Sequence, residues 1–176
     1  MDTLSGPAFE LVRAGRVDFA LTAGGDLREF ETELLRTEPY WLVCPAGHRL
    51  AERGGGGAGW DDLAGEELIH LARSSSVRQQ IERLDLSPAW ATSVLEVEHL
   101  ATLAALVRAG LGLSLVPELT LFHFRDAGLV ALPFHEPALA RPLVLARRKG
   151  QALSVAAQAL RGLLLARLAG DNPGLA

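Results

Sequence analysis

Cysteine is all but missing from this chain. Cys44 stands alone among 176 residues, so no disulfide can form within the chain and an oxidising compartment is not indicated. It sits in the apolar run Trp41-Leu42-Val43-Cys44, where a small buried hydrophobe is expected rather than a nucleophile. Lysine is as scarce, Lys149 being the only one among 17 basic residues against 21 acidic ones. The net charge of −4 excludes a strong non-specific nucleic-acid binder, which needs clustered Lys and Arg to neutralise phosphates. The one basic run, Arg147-Arg148-Lys149, reads as a solvated turn after a strand, with a phosphate patch as the alternative. No apolar run reaches the ~20 residues of a membrane helix. The start of the chain lacks the charged and apolar regions of a signal peptide, so the cytoplasm is expected.

Catalytic signatures are absent too. There is no G-x-S-x-G elbow, phosphate loop or dinucleotide fingerprint. His48, His70, His99, His123 and His135 show no paired metal-ligand spacing. No catalytic residue, metal or cofactor is therefore expected.

What is present is a helix–turn–strand grammar. Leu100, Leu103, Ala104, Leu106 and Val107 recur at helical spacing after His99. Gly110 supplies a left-handed helix end, Leu113 to Val116 read as a buried strand, and Pro117 ends it. The same grammar recurs elsewhere. A helix ends at Gly15, before a strand from Val17 to Leu21 and a loop from Thr22 to Gly25. Phe30 to Thr37 and Tyr40 to Cys44 read as strands, and the glycine tract from Gly54 to Gly57 as a surface loop. Trp60 to Leu63 is a brief helical turn capped by Asp61. Glu67 to Leu71 is a strand, and Ser74 to Ser76 form a loop opening a helix to Leu84. Ser93 to Val97 is a strand, Glu118 to Asp126 a short helix, Leu129 to Leu132 extended, and Pro142 to Ala146 a strand. Ser154 caps a last helix to Leu168. Such alternation predicts an α/β fold.

Five blocks carry a family resemblance. LVRAGRVDFALTAG (Leu11 to Gly24), YWLVCPAGHRLA (Tyr40 to Ala51), SSSVRQQIERL (Ser74 to Leu84), VEHLATLAALVRAGLGLSLVP (Val97 to Pro117) and RPLVLARRKGQALSVAAQALRGLL (Arg141 to Leu164) resemble, in order and spacing, the effector-binding domain of LysR-type transcriptional regulators. Arg49 departs from the pattern, standing where proline is usual. The resemblance implies a two-lobed, type 2 periplasmic-binding-protein-like fold with crossover hinge strands near Tyr40 to Cys44 and Leu143 to Ala146, paired with each other. Residues 1–45 and 139–176 would form the first lobe and residues 46–138 the second. Nothing in the chain matches the family's helix-turn-helix, nor the first strand, helix and strand of its effector domain. The first lobe is therefore expected to be incomplete and its strand edges open.

Ligands of open α/β sheets bind beyond the carboxyl ends of strands, where helix-start N–H groups suit anions. Thr22 and Ala23, then Ser74, Ser75 and Ser76, then His99 and Leu100 hold such positions. Each has a plainer reading: Thr22 can satisfy a strand end, the serines can be helix caps, and His99 can simply face solvent. The resemblance places all of them at one inter-lobe cleft. It implies a small-molecule effector, an anionic or aromatic metabolite, whose binding shifts a lobe or oligomer arrangement. A homo-oligomer is expected, with DNA reached only through a domain this chain does not contain. A solute receptor of the same fold is the alternative, and an enzyme on a related two-lobed fold a more distant one.

The purified chain should give no sequence-specific complex with promoter DNA in a gel shift. A complex competed only by its own sequence would overturn that expectation.

Overall fold

A computed structural model describes residues 5–53, 56–84, 95–125 and 128–168. By its contacts the chain divides into two units, Met1–Thr37 with Pro142–Ala176, and Glu38–Arg141. The expected strand residues Ser93 and Val94, part of the glycine tract and Asp126 lie outside the described residues.

In the first unit α1 (Ser5–Arg13) ends in a Schellman motif. Gly15 adopts φ +65°, its N–H donates to the Val12 carbonyl, and the Arg16 N–H donates to Leu11. The buried face of α1, Phe9 and Val12, meets Ala20, Phe30 and Ala146 in a small core. Phe9 stacks on Phe30 with centroids 4.9 Å apart. At Gly25 (φ +100°) a Cβ would lie 2.4 Å from the Phe9 ring, so only glycine lets the loop pass this core. The sheet orders β1 (Phe19–Thr22), β8 (Arg141–Arg148) and β2 (Phe30–Glu38) with β8 central. β1 is antiparallel to β8, from Phe19 opposite Arg147 to Thr22 opposite Val144. It begins later than the expected Val17.

The final helix, α4 (Val155–Leu168), buries only Ala157 along its length. The Ser154 Oγ accepts from the Ala157 N–H at 3.2 Å, the expected cap. The basic run is engaged internally: Arg147 donates to the Gln151 carbonyl, Arg148 to that of Arg13, and Lys149 to that of Arg28. One open groove of this unit, about 530 Å³, is bordered by Glu31, Glu33, Arg147 and Arg161. Those charges pair with one another, Arg147 with Glu31 and Arg161 with Glu33.

The second unit is built on β3 (Tyr40–Pro45), flanked by β6 (Ser114–Pro117) and β7 (Leu129–Pro133), both antiparallel to it. Tyr40, Leu42, Val43 and Cys44 are buried. Burial pushes the Cys44 thiol up from its ordinary value, which suits the hydrophobe expected there. α3 (Leu100–Arg108) lays Leu103, Ala104 and Val107 into the same core. It also ends in a Schellman motif, with Gly110 at φ +76°. Two further strands, β4 (Ile69–Leu71) and β5 (Leu95–Val97), pair in parallel. A bridge from Leu68 to Leu113 joins β4 to the start of β6. α2 (Ser76–Arg83) follows β4.

Several expectations need correction. β3 and β8 do not pair with each other, because β3 is hydrogen-bonded on both edges by β6 and β7 while β8 is filled by β1 and β2. By contacts alone, residues 40–45 and 139–141 group with the second unit. The turn at Trp60–Leu63 is not capped by Asp61. Asp62 accepts from the Gly59 N–H at 2.9 Å, and that bond, with Arg53, holds its carboxyl below the usual range. The short helix expected from Glu118 is present as a 3₁₀ helix, Glu118–Phe124. Arg49, in proline's usual place, anchors its loop by donating to Glu66 at 2.9 Å and to the Asp62 carbonyl at 2.7 Å.

β1 is four residues long and lies at the edge of its sheet, whereas β3 is central and buries Tyr40, Leu42, Val43 and Cys44 in the core with α3. Hydrogen exchange should therefore protect the amides of Leu42 to Cys44 and Ser114 to Val116 more than those of Phe19 to Thr22. Equal, concentration-independent protection in a monomer would show that the first unit is as stable as the second.

Candidate functional site

Serine at a helix start serves the helix before it serves a ligand. Ser75 is the N-cap of α2, in extended conformation, and its Oγ accepts from the Arg78 N–H at 3.1 Å. Ser76 is the first helical residue and Ser74 lies exposed in the preceding turn. The three serines are thus not equivalent. Ser75 is a cap, Ser76 stands beside the free N–H groups of the first turn, and Ser74 is on the surface.

His99 holds the matching position before α3, with extended backbone, an exposed ring and no capping hydrogen bond from its side chain. Leu100, the next residue, packs in part against the core of the second unit. The parallel pairing of β4 and β5 brings these two helix starts to the same edge. Leu71 is opposite Val97, the Ala72 N–H donates to Val97 at 2.8 Å, and the Arg73 N–H reaches a Glu96 carboxylate oxygen at 3.2 Å. Parallel strands end on the same side, so two loops emerge together where an antiparallel pair would separate them.

Thr22 and Ala23 lie in the first unit, at the carboxyl end of β1. Thr22 is buried, and its hydroxyl donates to the Gly24 carbonyl at 2.9 Å. That bond closes the strand end, the plainer of the two readings.

The residues that sequence reasoning missed are Glu38 and Arg141. Glu38 is fully buried, and its two oxygens accept from Arg141 Nε at 2.7 Å and from the Leu119 N–H at 2.8 Å. Arg141 Nη1 stands 3.5 Å from the Ser76 Oγ. A guanidinium is thereby held at the start of α2, where the helix already favours negative charge. The pair spans 103 positions of sequence, and no local pattern marks it. Among the described residues no cluster of His, Cys, Asp or Glu could hold a metal ion. No helix of the described residues is long and apolar enough to cross a membrane.

An α/β chain with two helix starts at the ends of paired parallel strands matches a known class. The family model described as "LysR substrate binding domain" matches residues 3–169. The chain belongs to that family. It is 34% identical over 142 residues to the Escherichia coli (strain K12) protein described as "Uncharacterized HTH-type transcriptional regulator YbhD", covering 80% of this chain and 44% of YbhD. The chain thus spans about half the length of such relatives. Among solved structures it is similar to the reduced form of OxyR (TM-score 0.81, 27% identity, 97% of this chain and 80% of that one). It is also similar in fold to the BenM effector binding domain with its effector benzoate (TM-score 0.79, 24% identity, 97% and 78%). The fold is that of LysR effector-binding domains, the two-lobed periplasmic-binding-protein-like plan.

Two substitutions separate the roles at this site. Ser75→Ala should lower stability by about 1 kcal/mol in urea unfolding, the cost of a lost cap, while Ser74→Ala should stay within about 0.5 kcal/mol of the parent. Equal effects would remove the distinction. Glu38→Ala strands Arg141 and the Leu119 N–H, and should cost about 3–5 kcal/mol.

Proposed function

We propose that this chain is the small-molecule-sensing part of a transcriptional regulator. An effector settles at the start of α2, favours one of two conformations, and the shift is read by a DNA-binding domain outside this chain. The observation that supports this best is the juxtaposition of two helix starts, at Ser76 and Leu100, on the carboxyl ends of paired parallel strands. Family membership and the benzoate-bound relative support the same reading. Ser75, Ser76, His99 and Leu100 are the second unit's proposed contacts, with Ser74 at their border. Thr22 and Ala23 are the first unit's candidates. The effector is a small anionic or aromatic metabolite, since helix-start N–H groups and neutral hydroxyls hold a carboxylate at limited desolvation cost. The chain is a cytoplasmic binding module that works as a homo-oligomer, and it performs no catalysis.

The test is a thermal-shift screen of small acids, beginning with benzoate, followed by calorimetry of whatever binds. The double variant Ser75→Ala/Ser76→Ala should weaken binding by about 1–2 kcal/mol, the scale of hydrogen bonds to a charged group. An affinity unchanged in that variant would reduce these serines to helix caps.

A further inference from the structure

We propose that α4 is a releasable strap, a helix that undocks from the first unit as a body while the sheet beneath it stays folded.

A helix that is apolar on all sides is normally buried on all sides, and α4 is not. Val155, Leu160 and Leu163 are 86%, 49% and 64% exposed, and Ala157 is the helix's one buried residue. Arg161, Leu164, Leu165 and Leu168 share the face of Ala157 by helical spacing, yet each is only half-buried. Tertiary burial, the main source of stability for a helix of this length, is therefore scant.

Polar contacts hold α4 instead. The Ser154 N–H, at its cap, donates to Asp18 Oδ1 at 2.9 Å. Further along, the Arg161 guanidinium forks onto Glu33 of β2, Nε to Oε2 at 2.6 Å and Nη2 to Oε1 at 2.5 Å. The two side chains of this ion pair are 41% and 33% exposed, so salt screens it and it anchors the helix weakly. The open groove of about 530 Å³ has Leu145 on its sheet side and Leu153 and Gln158 on its helix side. A permanently docked helix would fill such space with close-packed side chains.

Gly162 loosens the helix further. It stands near mid-helix, where glycine is less favourable than alanine, and a Cβ there would meet nothing within 4 Å. No close approach of the backbone calls for glycine at this position. Few buried apolar contacts and an exposed anchor put α4 at the low-stability end of its unit. β8, by contrast, is the central strand, with Leu145 and Ala146 buried. Undocking uncovers Leu145 beside Leu21, its exposed partner on β1. The unit thereby has two states, and anything that binds the uncovered face favours the open one.

Hydrogen exchange on the whole chain tests the strap, at about 50 mM and about 1 M sodium chloride. After correction for intrinsic rates, the amides from Ala159 to Ala166 should exchange together, about tenfold or more faster than those of Leu145 and Ala146. High salt should speed them a further two- to fivefold, roughly the loss of one exposed ion pair. Arg161→Gln should have the same effect at low salt and remove the salt dependence. Gly162→Ala should slow these amides about fivefold. None of the three changes should move the amides of β8. Protection of α4 equal to that of β8 overturns the proposal, as do α4 rates unmoved by both salt and Arg161→Gln. Protection that falls gradually from Ala159 to Ala166 is fraying, and overturns it too. Loss of protection in α4 and β8 together in Arg161→Gln would make the helix part of the unit's core, with the same consequence.

Discussion

The second unit depends on one buried carboxylate. Glu38 has no exposed surface, and a charge so placed is tolerated only when it is paired and hydrogen-bonded. Its partners come from far along the chain, the Leu119 N–H at the start of a 3₁₀ turn and the Arg141 guanidinium. Glu38 and Arg141 are also the first and last residues of the unit. The ion pair therefore closes the unit where the chain enters and leaves it, and α2 is brought to the same point by Gln80 and Ser76. The pair is weak evidence for net stability, since desolvation offsets much of its attraction. Its contribution is to specify which segments meet.

Strand direction divides the work within that unit. The antiparallel β6-β3-β7 sheet carries the core with α3 and can be built from short returns of the chain. In the parallel β4–β5 pair, β4 is buried in that core through Ile69 and Leu71, while β5 is mostly exposed. It brings two helix starts to one edge, which an antiparallel pair could not do. The small core of the first unit contrasts with this: α1, β1, β2 and β8 supply its buried residues, while α4 shows solvent an apolar surface that includes Leu160 and Leu163.

Much of the architecture was legible from the chain. Gly15 and Gly110 mark helix ends because a left-handed residue without a Cβ closes a Schellman motif, and both helices end there. The apolar runs at Tyr40 to Cys44 and Leu113 to Val116, and the cap at Ser154, fall where periodicity and cap chemistry put them. A serine cap for α2 was legible for the same reason, but that Ser75 supplies it was not. Asp61 was misread for Asp62 because both carboxylates sit in one turn, and only the backbone angle decides which accepts from the Gly59 N–H.

The sequence by itself determined the α/β alternation, most helix ends and the loops at the strand ends, because these follow from local spacing and from backbone preferences of single residues, and five blocks in order carried the resemblance to the family. It could not determine which strands pair. β3 and β8 have equally apolar patterns, and their partners depend on which edges other segments fill. Nor could it show that Glu38 and Arg141 meet. Charged residues in a strand are usually solvated, and two of them 103 positions apart become a buried pair only once packing removes the water around both.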